Sequence, residues 1–321
     1  MTSTQTIPGG LSWPARLPFY YGWINVVVAS IAMTATLPGR THGLGLVTEP
    51  LLDDLNVDRV TFAHINLVAS LIGAAFCVPI GMMIDRWGVR TALATVTLAL
   101  GVSVLSLGEA SGWLSLLATL ILVRGFGQSA LSLVSLAMIG KWFSRRLGLA
   151  MGLFAVLLTF GFIASVLVMG AAVQQLGWRA AWQGVGYSLL ALVPIFWLLA
   201  RSTPEGCGIE PDAVDNVDRS TADRSTTGTP ELTLGQALAT PAFWVVVVGT
   251  SLFNLVWSGV TLFNESMLSE RGLDQSVAVE IMAILTGIGL LANLVGGAFA
   301  SRKRVVKLLG IGLALLAGAL A

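Results

Sequence analysis

Long uninterrupted apolar runs dominate this sequence and limit what the chain can fold into. Nine of them, numbered here as spans 1 to 9, cover residues 23–47, 62–83, 91–108, 113–138, 147–172, 180–200, 242–264, 277–300 and 305–321. A helix of about 20 apolar residues crosses the ~30 Å hydrocarbon core of a bilayer. Only 11% of the residues are charged, whereas an average soluble protein carries about 25%. The sequence therefore predicts an all-α polytopic membrane protein.

The basic residues divide unequally between the two sets of loops. Of the 18 Lys and Arg residues, 13 fall in the N-terminal segment and in the loops on its side, whereas the alternate loops hold only Arg59, Arg179 and Arg271. The positive-inside rule then predicts a cytoplasmic N-terminus, and we expect a multi-pass protein of the plasma membrane. Because this bias follows topology and the net charge is only +1, we expect a lipid bilayer as the environment, a monomer, and no nucleic-acid partner.

Composition along the chain predicts four segments. They are a cytoplasmic N-terminal segment (1–19), a six-helix bundle (20–200), a flexible, acidic and Ser/Thr-rich cytoplasmic linker (201–240), and a partial second bundle of three helices (241–321). The strings GMMIDR at 81 and GAFASR at 297 stand at corresponding helix ends, 216 residues apart. Such an offset predicts a second half built like the first, so we expect the sequence to be cut near the end of a ninth helix.

The decapeptide GMMIDRWGVR, residues 81–90, separates spans 2 and 3. It resembles the loop signature of the major facilitator superfamily at Gly81, Asp85, Arg86, Gly88 and Arg90. The resemblance implies two six-helix halves that transport a solute by alternating access. It also implies a gating role, in which Asp85 pairs with basic residues and a helix N-terminus of the other half.

The remaining signature positions have simpler expected roles. Small Gly81 would let two helices approach closely, Gly88 would permit a sharp turn, and Arg86 and Arg90 would anchor at the headgroups. The alternative is a purely topogenic positive loop, which accounts for the arginines but not for Asp85.

Two further stretches, YYGW at 20–23 and KWFSRRLGLAMG at 141–152, resemble the monocarboxylate-porter-like branch of that superfamily. Proton-linked members of the branch often carry an acidic residue where Tyr21 stands, and an Asp and Arg pair in helix eight. Residues 277–300 contain only Glu280 as an acidic residue. These two departures concern proton coupling, and protons stay one candidate coupling ion. The resemblance to the branch implies an organic anion such as a carboxylate.

Ionisable groups inside hydrocarbon usually face a cavity or a partner, because burying them there is costly. Arg124 lies near the middle of span 4, among Gly125 and Gly127 that would leave space around it, with Gln128 one turn further on the same face. Its motif resembles one found in many facilitators, and we expect it to bind an anion or control proton coupling. The alternative is a structural tie to neighbouring backbone carbonyls.

A second polar group lies in the outer part of span 1, where Pro38 and several glycines weaken the helix. Arg40 could join Arg124 in binding a carboxylate, or it could reach the outer headgroups. His42 could titrate near neutral pH or be structural. In span 7, Asn254 and Trp257 share a face, which fits either cavity lining or ordinary interhelical hydrogen bonding.

The sequence carries no His-Glu-x-x-His, phosphate-loop or Gly-x-Ser-x-Gly motif and no paired intramembrane carboxylates. We therefore expect no enzyme, no metal site and no cofactor, and interpret the chain as a secondary transporter of a small-molecule solute. Two alternatives stay open. One is a non-transporting solute sensor on the same scaffold. The other is an efflux pump for hydrophobic compounds, which would use aromatic side chains and not the two arginines.

Overall fold

The computed structural model describes residues 18–209, 212, 234–241, 243–253, 256, 288, 310 and 318. The chain divides into two compact units, Met1–Ala213 and Val214–Ala321, and this division falls inside 201–240. Spans 8 and 9 lie almost entirely outside the described residues.

The regular elements described in the first unit are all helical. Its α-helices are α1 (Gly22–Thr34), α2 (Thr41–Gly45), α3 (Thr48–Leu55), α4 (Arg59–Ala74), α5 (Cys77–Gly108), α6 (Trp113–Val123), α7 (Ser132–Trp142), α8 (Leu147–Leu176) and α9 (Trp178–Leu199). Two 3₁₀ turns, Leu37–Gly39 and Glu205–Cys207, and a π-helical segment, Arg124–Leu131, complete the set.

Four continuous helical stretches are long and apolar enough to cross a membrane within the described part of the chain. They are Arg59–Gly108, Trp113–Trp142, Leu147–Leu176 and Trp178–Leu199, the first of which contains two spans. Their length and composition agree with the predicted polytopic membrane protein.

Contacts between sequence-distant residues show that the chain passes repeatedly between two ends of the first unit. At one end, Trp142 Nε1 donates to the Arg201 carbonyl at 2.9 Å. Residues 20–21, 85–90, 141–146 and 199–209 gather there, and we call this the basic end. At the other end, Arg179 donates to the Gly108 and Ala110 carbonyls and, at 2.8 Å, to Asp54. We call this the opposite end; it holds residues 46–58, 108–112 and 177–179.

The first span is shorter and more broken than a continuous helix over 23–47. α1 ends at Thr34, and the 3₁₀ turn Leu37–Gly39 follows with Pro38 near its start. Arg40 then adopts an extended conformation, with φ −101° and ψ 155°, before α2 begins. This break confirms the prediction that Pro38 and its neighbouring glycines weaken the helix. The physical reason is that proline cannot donate to the helical ladder.

A glycine interrupts α5 between spans 2 and 3. Gly88 has φ 82° and ψ 162°, a region that is essentially restricted to glycine, so the predicted sharp turn is confirmed. Arg90 also binds the protein at this end, and its headgroup role stays a prediction. Its Nε donates to the Trp197 carbonyl at 2.7 Å, and its guanidinium lies 4.4 Å from the centre of the Trp197 ring. A cation here also interacts favourably with the C-terminal end of α9.

Residues 201–209, predicted as the start of a flexible linker, instead pack against the basic end. Cys207 is buried, and Asn25 exchanges hydrogen bonds with the backbone of Arg201. Tyr20 donates to the Trp142 carbonyl at 2.6 Å. Burial raises the pKa of Tyr20 to about 12. The six-helix bundle thus includes the chain that follows its last helix.

In the second unit, the description covers two helices, α10 (Leu234–Leu238) and α11 (Phe243–Phe253). α11 is apolar and falls within span 7. Phe243 and Trp244 pack edge to face at its start, with ring centres 5.6 Å apart.

Candidate functional site between the first and fourth passes

Arg124 lies buried at the centre of the first unit, and its side chain is only 3% exposed. Nε and Nη2 donate to Asn66 Oδ1 of α4 at 3.1 and 2.5 Å. Nη1 donates to Gln128 Oε1 at 2.7 Å and to the Gly39 carbonyl at 3.1 Å. The prediction that Gln128 lies on the same helix face as Arg124 is confirmed. The guanidinium therefore joins three passes of the chain through neutral oxygens.

The backbone around Arg124 is π-helical from Arg124 to Leu131. π-helical turns within α-helices are rare and occur frequently at functional sites. The segment runs directly between α6 and α7, so the fourth pass changes its helical pitch where it carries its buried charge.

Glycines bring the neighbouring chains close to this segment. A Cβ on Gly39 would lie 2.7 Å from the Val123 carbonyl oxygen and 2.8 Å from the Gln128 nitrogen, and a Cβ on Gly127 would lie 3.1 Å from Gly39 Cα. A Cβ on Gly125 would meet the Phe76 ring at 2.7 Å. The prediction that these glycines leave space around Arg124 is wrong, since they let backbone and ring approach closely, as small residues do in membrane proteins.

Arg40 turns into the bundle from the broken first pass. Nε donates to Thr36 Oγ1 at 2.7 Å, and Nη2 donates to Ser132 Oγ of α7 at 3.1 Å and contacts Met33 Sδ at 3.3 Å. The guanidinium carbon lies 5.3 Å from the centre of the Phe162 ring on α8. This geometry differs from the snorkelling alternative, in which the side chain would extend to the headgroups.

The two arginines bridge the same pair of passes at neighbouring points. Arg124 binds the carbonyl of Gly39, the residue before Arg40, and Arg40 binds Ser132, four residues after Gln128. Neither guanidinium has a carboxylate partner within the described part of the chain. Arg124 uses four of its five N–H groups, whereas Arg40 Nη1 has no hydrogen-bond partner among the described residues. A guanidinium with unused N–H groups can bind a carboxylate, so Arg40 in particular can accept a small anion.

Sequence reasoning missed two members of this cluster. Asn66 was detectable as an amide within an apolar run, and Ser132 as the next position on the Arg124–Gln128 face. What the sequence could not provide was the crossing that brings α4 against the fourth pass. His42 belongs to α2 by its backbone, but its side chain lies outside the described residues, as do Asn254 and Trp257.

The decapeptide at the basic end has a different character from the arginine cluster. Asp85 and Arg86 are exposed, and neither has a hydrogen bond or ion pair in the part of the chain that the structure describes. A Cβ on Gly81 would have no neighbour within 4 Å, so the close helix contact predicted there is not made among the described residues. Asp85 and Arg86 are thus available for a contact outside the described six-pass unit.

Comparison with known proteins agrees with this architecture. The chain matches the sequence profile of the Major Facilitator Superfamily over residues 21–321. It is 31% identical over 184 residues to human monocarboxylate transporter 11, covering 56% of this chain and 38% of that protein. It is 23% identical over 293 residues to the MFS-type transporter pytF of Aspergillus terreus, covering 88% of this chain and 90% of that protein.

The mouse monocarboxylate transporter 11 is 29% identical over 196 residues, or 60% of this chain and 42% of that protein. The chain thus spans less than half the length of the two monocarboxylate transporters that it matches. The profile match, in contrast, runs over nearly all of this chain. This chain belongs to the major facilitator superfamily.

Proposed function

We propose that the protein is a secondary transporter that moves a small organic anion, such as a carboxylate, by alternating access. The observation that carries the proposal is the pair Arg40 and Arg124, two cations whose side chains turn into the helix bundle. Their hydrogen-bond partners are neutral, and neither has a carboxylate partner among the described residues. Membership of the superfamily supports transport, and the similarity to proteins named monocarboxylate transporters supports the anionic substrate.

The physical reason for an anion is the cost of an uncompensated buried charge. A buried cation is stabilised by hydrogen bonds to neutral oxygens, but an opposite charge stabilises it more strongly in a medium of low polarity. A carboxylate that enters beside Arg40 and Arg124 would supply that charge, and it can leave again because it is not part of the chain. A permanent acidic partner would compete with such a substrate.

The local backbone supports a site that changes during transport. The first pass is broken at Leu37–Arg40, and the fourth is π-helical at Arg124–Leu131. Irregular backbone in membrane helices is tolerated where it lines a cavity, and it frees polar groups to bind solute. A substrate between these segments would contact both of the passes that the two arginines join.

Uptake into proteoliposomes by the intact chain tests the proposal. A panel of small carboxylates would be offered with and without an inward proton gradient, since protons are one candidate coupling ion and His42 lies on the same segment as Arg40. We expect saturable uptake that Arg124→Gln lowers by at least about tenfold, equivalent to ~1.4 kcal/mol or more. The matched control Arg145→Gln removes the same charge from an exposed position at the basic end and should change uptake little.

Other outcomes would redirect the assignment. Uptake of carboxylates that is equal in wild type and Arg124→Gln would exclude the arginine site. Specific binding of a carboxylate without flux would favour a solute sensor, and uptake or efflux of neutral hydrophobic compounds alone would favour a pump of that class.

We further propose that the decapeptide gates the basic end, with Asp85 pairing in one state of the transport cycle and Gly81, Arg86, Gly88 and Arg90 supporting the turn. Its exposed, unpaired carboxylate among the described residues supports this role. Asp85→Ala should shift the population towards the state that is open at the basic end.

The gating proposal can be checked with Leu136→Cys, one turn beyond Ser132, in a background without Cys77 and Cys207. Its alkylation from the basic end should become faster in Asp85→Ala and stay unchanged in Asp53→Ala, which removes an exposed acid from the opposite end. An unaltered labelling rate in Asp85→Ala would rule out the gating role.

A further inference from the structure

A cavity of about 490 Å³ lies between the first pass, α8 and α9, and neither Arg40 nor Arg124 lines it. Its size falls in the range of about 300–1,000 Å³ that is typical of ligand pockets. Most of its lining is apolar and includes Leu37, Pro38, Trp182, Gly184, Leu189 and Leu192. Among the described residues, none of the side chains lining it is charged, so the cavity selects for hydrocarbon and against an anion.

The position and length of the cavity indicate which hydrocarbon it fits. Three residues that line it, Ile31, Val168 and Leu176, are 42%, 70% and 67% exposed on the surface of apolar helices. Along α9 the cavity lining extends from Ala180 to Leu192, a rise of about 18 Å at 1.5 Å per residue. This is close to the hydrocarbon depth of one leaflet, roughly half of 30 Å.

Trp182 adds one polar requirement. Its ring is 1% exposed, and Nε1 is a buried donor with no hydrogen-bond partner among the residues that the structure describes. Buried indole N–H groups usually find an acceptor. Trp182 lies four residues after the start of α9 at Trp178, about 6 Å along the helix. This depth corresponds to the boundary between headgroups and acyl chains, where tryptophan is enriched.

We propose that this cavity holds one acyl chain of a bilayer phospholipid, with an ester carbonyl that accepts the hydrogen bond of Trp182 Nε1. The chain would enter from the membrane beside Leu176 and run along α9 towards Leu192. A lipid is favoured over a soluble ligand because the lining is apolar, opens between membrane-spanning helices and matches the thickness of one leaflet.

A lipid in this position would pack against the broken part of the first pass. Leu37 and Pro38 line the cavity, and the next residue, Gly39, supplies the carbonyl that accepts from Arg124. The lipid site depends on the cavity and not on transport, so it is independent of the proposed substrate.

The test is photocrosslinking of the intact chain in phosphatidylcholine nanodiscs, in which the lipid carries a diazirine halfway along one acyl chain. Labels on Leu189 and Leu192 are compared with labels on Phe160 and Ile163, which are exposed on α8 and report ordinary surrounding lipid. We expect the cavity residues to be labelled more strongly than this reference in wild type.

Two variants separate a specific site from surrounding lipid. Gly184 lies at the cavity with no atom within 4 Å of an added Cβ, so Gly184→Phe should block the cavity and reduce its labelling by at least about tenfold. Gly170 has the same open surroundings but does not line the cavity, so Gly170→Phe should leave labelling unchanged.

Trp182→Phe tests the hydrogen bond, because it retains a ring and removes only the donor. Native mass spectrometry in mild detergent should show one retained phospholipid in wild type and about fivefold less retention in Trp182→Phe, the factor expected for one neutral hydrogen bond. This variant also carries the test if Gly184→Phe does not fold.

Cavity labelling equal to the Phe160 and Ile163 reference in wild type would overturn the proposal. So would cavity labelling that is undiminished in a folded Gly184→Phe. Unchanged lipid retention in Trp182→Phe would overturn the assigned ester contact.

Discussion

At the scale of single residues, Arg124 is defined by the neutrality of its partners. Asn66 Oδ1 accepts hydrogen bonds from two of its N–H groups, and Gln128 Oε1 accepts one from another. The cluster is fully polar yet, among the described residues, it contains no negative charge. If that missing charge belongs to the substrate, a carboxylate fixed in the protein should replace the substrate.

Asn66→Asp tests this directly, because it changes shape little and places a carboxylate against Arg124. We expect anion uptake to fall by at least about tenfold. The folded state should become more stable, with a melting temperature raised by about 2–4 °C for each kcal/mol gained. Uptake assays and thermal unfolding of the purified protein would measure both changes.

The matched variant Asn66→Leu removes the acceptor without adding charge. It should lower the free energy of unfolding by about 1–3 kcal/mol, the cost of leaving a buried donor unmatched. Wild-type uptake by Asn66→Asp would show that no substrate charge is needed beside Arg124.

At the scale of elements, the glycines Gly39 and Gly127 let the first pass lie close against the fourth. Gly39→Ala would bring a Cβ to 2.7 Å from the Val123 carbonyl oxygen, so the 3₁₀ turn and the fourth pass would have to separate. We expect a loss of about 1–3 kcal/mol in unfolding free energy and weaker anion binding, since the Gly39 carbonyl would move from Arg124. Thermal unfolding with and without a bound carboxylate measures both effects.

Gly45→Ala is the control for this variant, because Gly45 ends α2 nearby and an added Cβ there meets nothing within 4 Å. It should unfold at the wild-type temperature. Equal stability of Gly39→Ala and Gly45→Ala would mean that the close crossing does not constrain the fold.

The interruption of α5 makes a second prediction at this scale. Gly88→Ala forces a non-glycine residue into φ 82° and ψ 162°, which costs about 1–3 kcal/mol. Gly81→Ala changes the same decapeptide at a helical position with open space and should be neutral or stabilising by about 0.5–1 kcal/mol. Chemical or thermal unfolding that ranks the two variants in the reverse order would contradict the turn described here.

At the scale of the whole molecule, the described first unit carries more basic residues at one end than at the other. The basic end holds Arg86, Arg90, Lys141, Arg145, Arg146 and Arg201 together with the acidic Asp85, Glu205 and Asp212, whereas the opposite end holds Asp53, Asp54, Asp58 and Glu109 beside Arg59 and Arg179. The positive-inside rule predicts that the basic end is cytoplasmic.

Single cysteines test this orientation in a background without Cys77 and Cys207. Arg145→Cys at the basic end should react with a membrane-impermeant maleimide only after the cells are opened. Asp53→Cys at the opposite end should react in intact cells. The reverse pattern would invert the topology, and labelling of a plasma-membrane fraction would check the proposed location.

The sequence predicts the helices of this protein better than it predicts the contacts between them. The apolar runs determined that the chain spans a membrane, because hydrocarbon forces each segment to satisfy its backbone within its own helix. Gly88 and Pro38 determined local breaks for a similarly local reason, since backbone dihedrals depend on the residue itself.

Contacts between helices were decided only by the tertiary structure. Arg124 meets Asn66 and the Gly39 carbonyl across 58 and 85 residues of chain, and Arg90 binds the C-terminal end of α9 across 107 residues. Such pairs depend on where helices cross, and many crossings bury apolar helices equally well in lipid. The sequence by itself determined the spans, their breaks and the presence of buried charge; the tertiary structure decided the partners of that charge, because packing alone brings distant segments together.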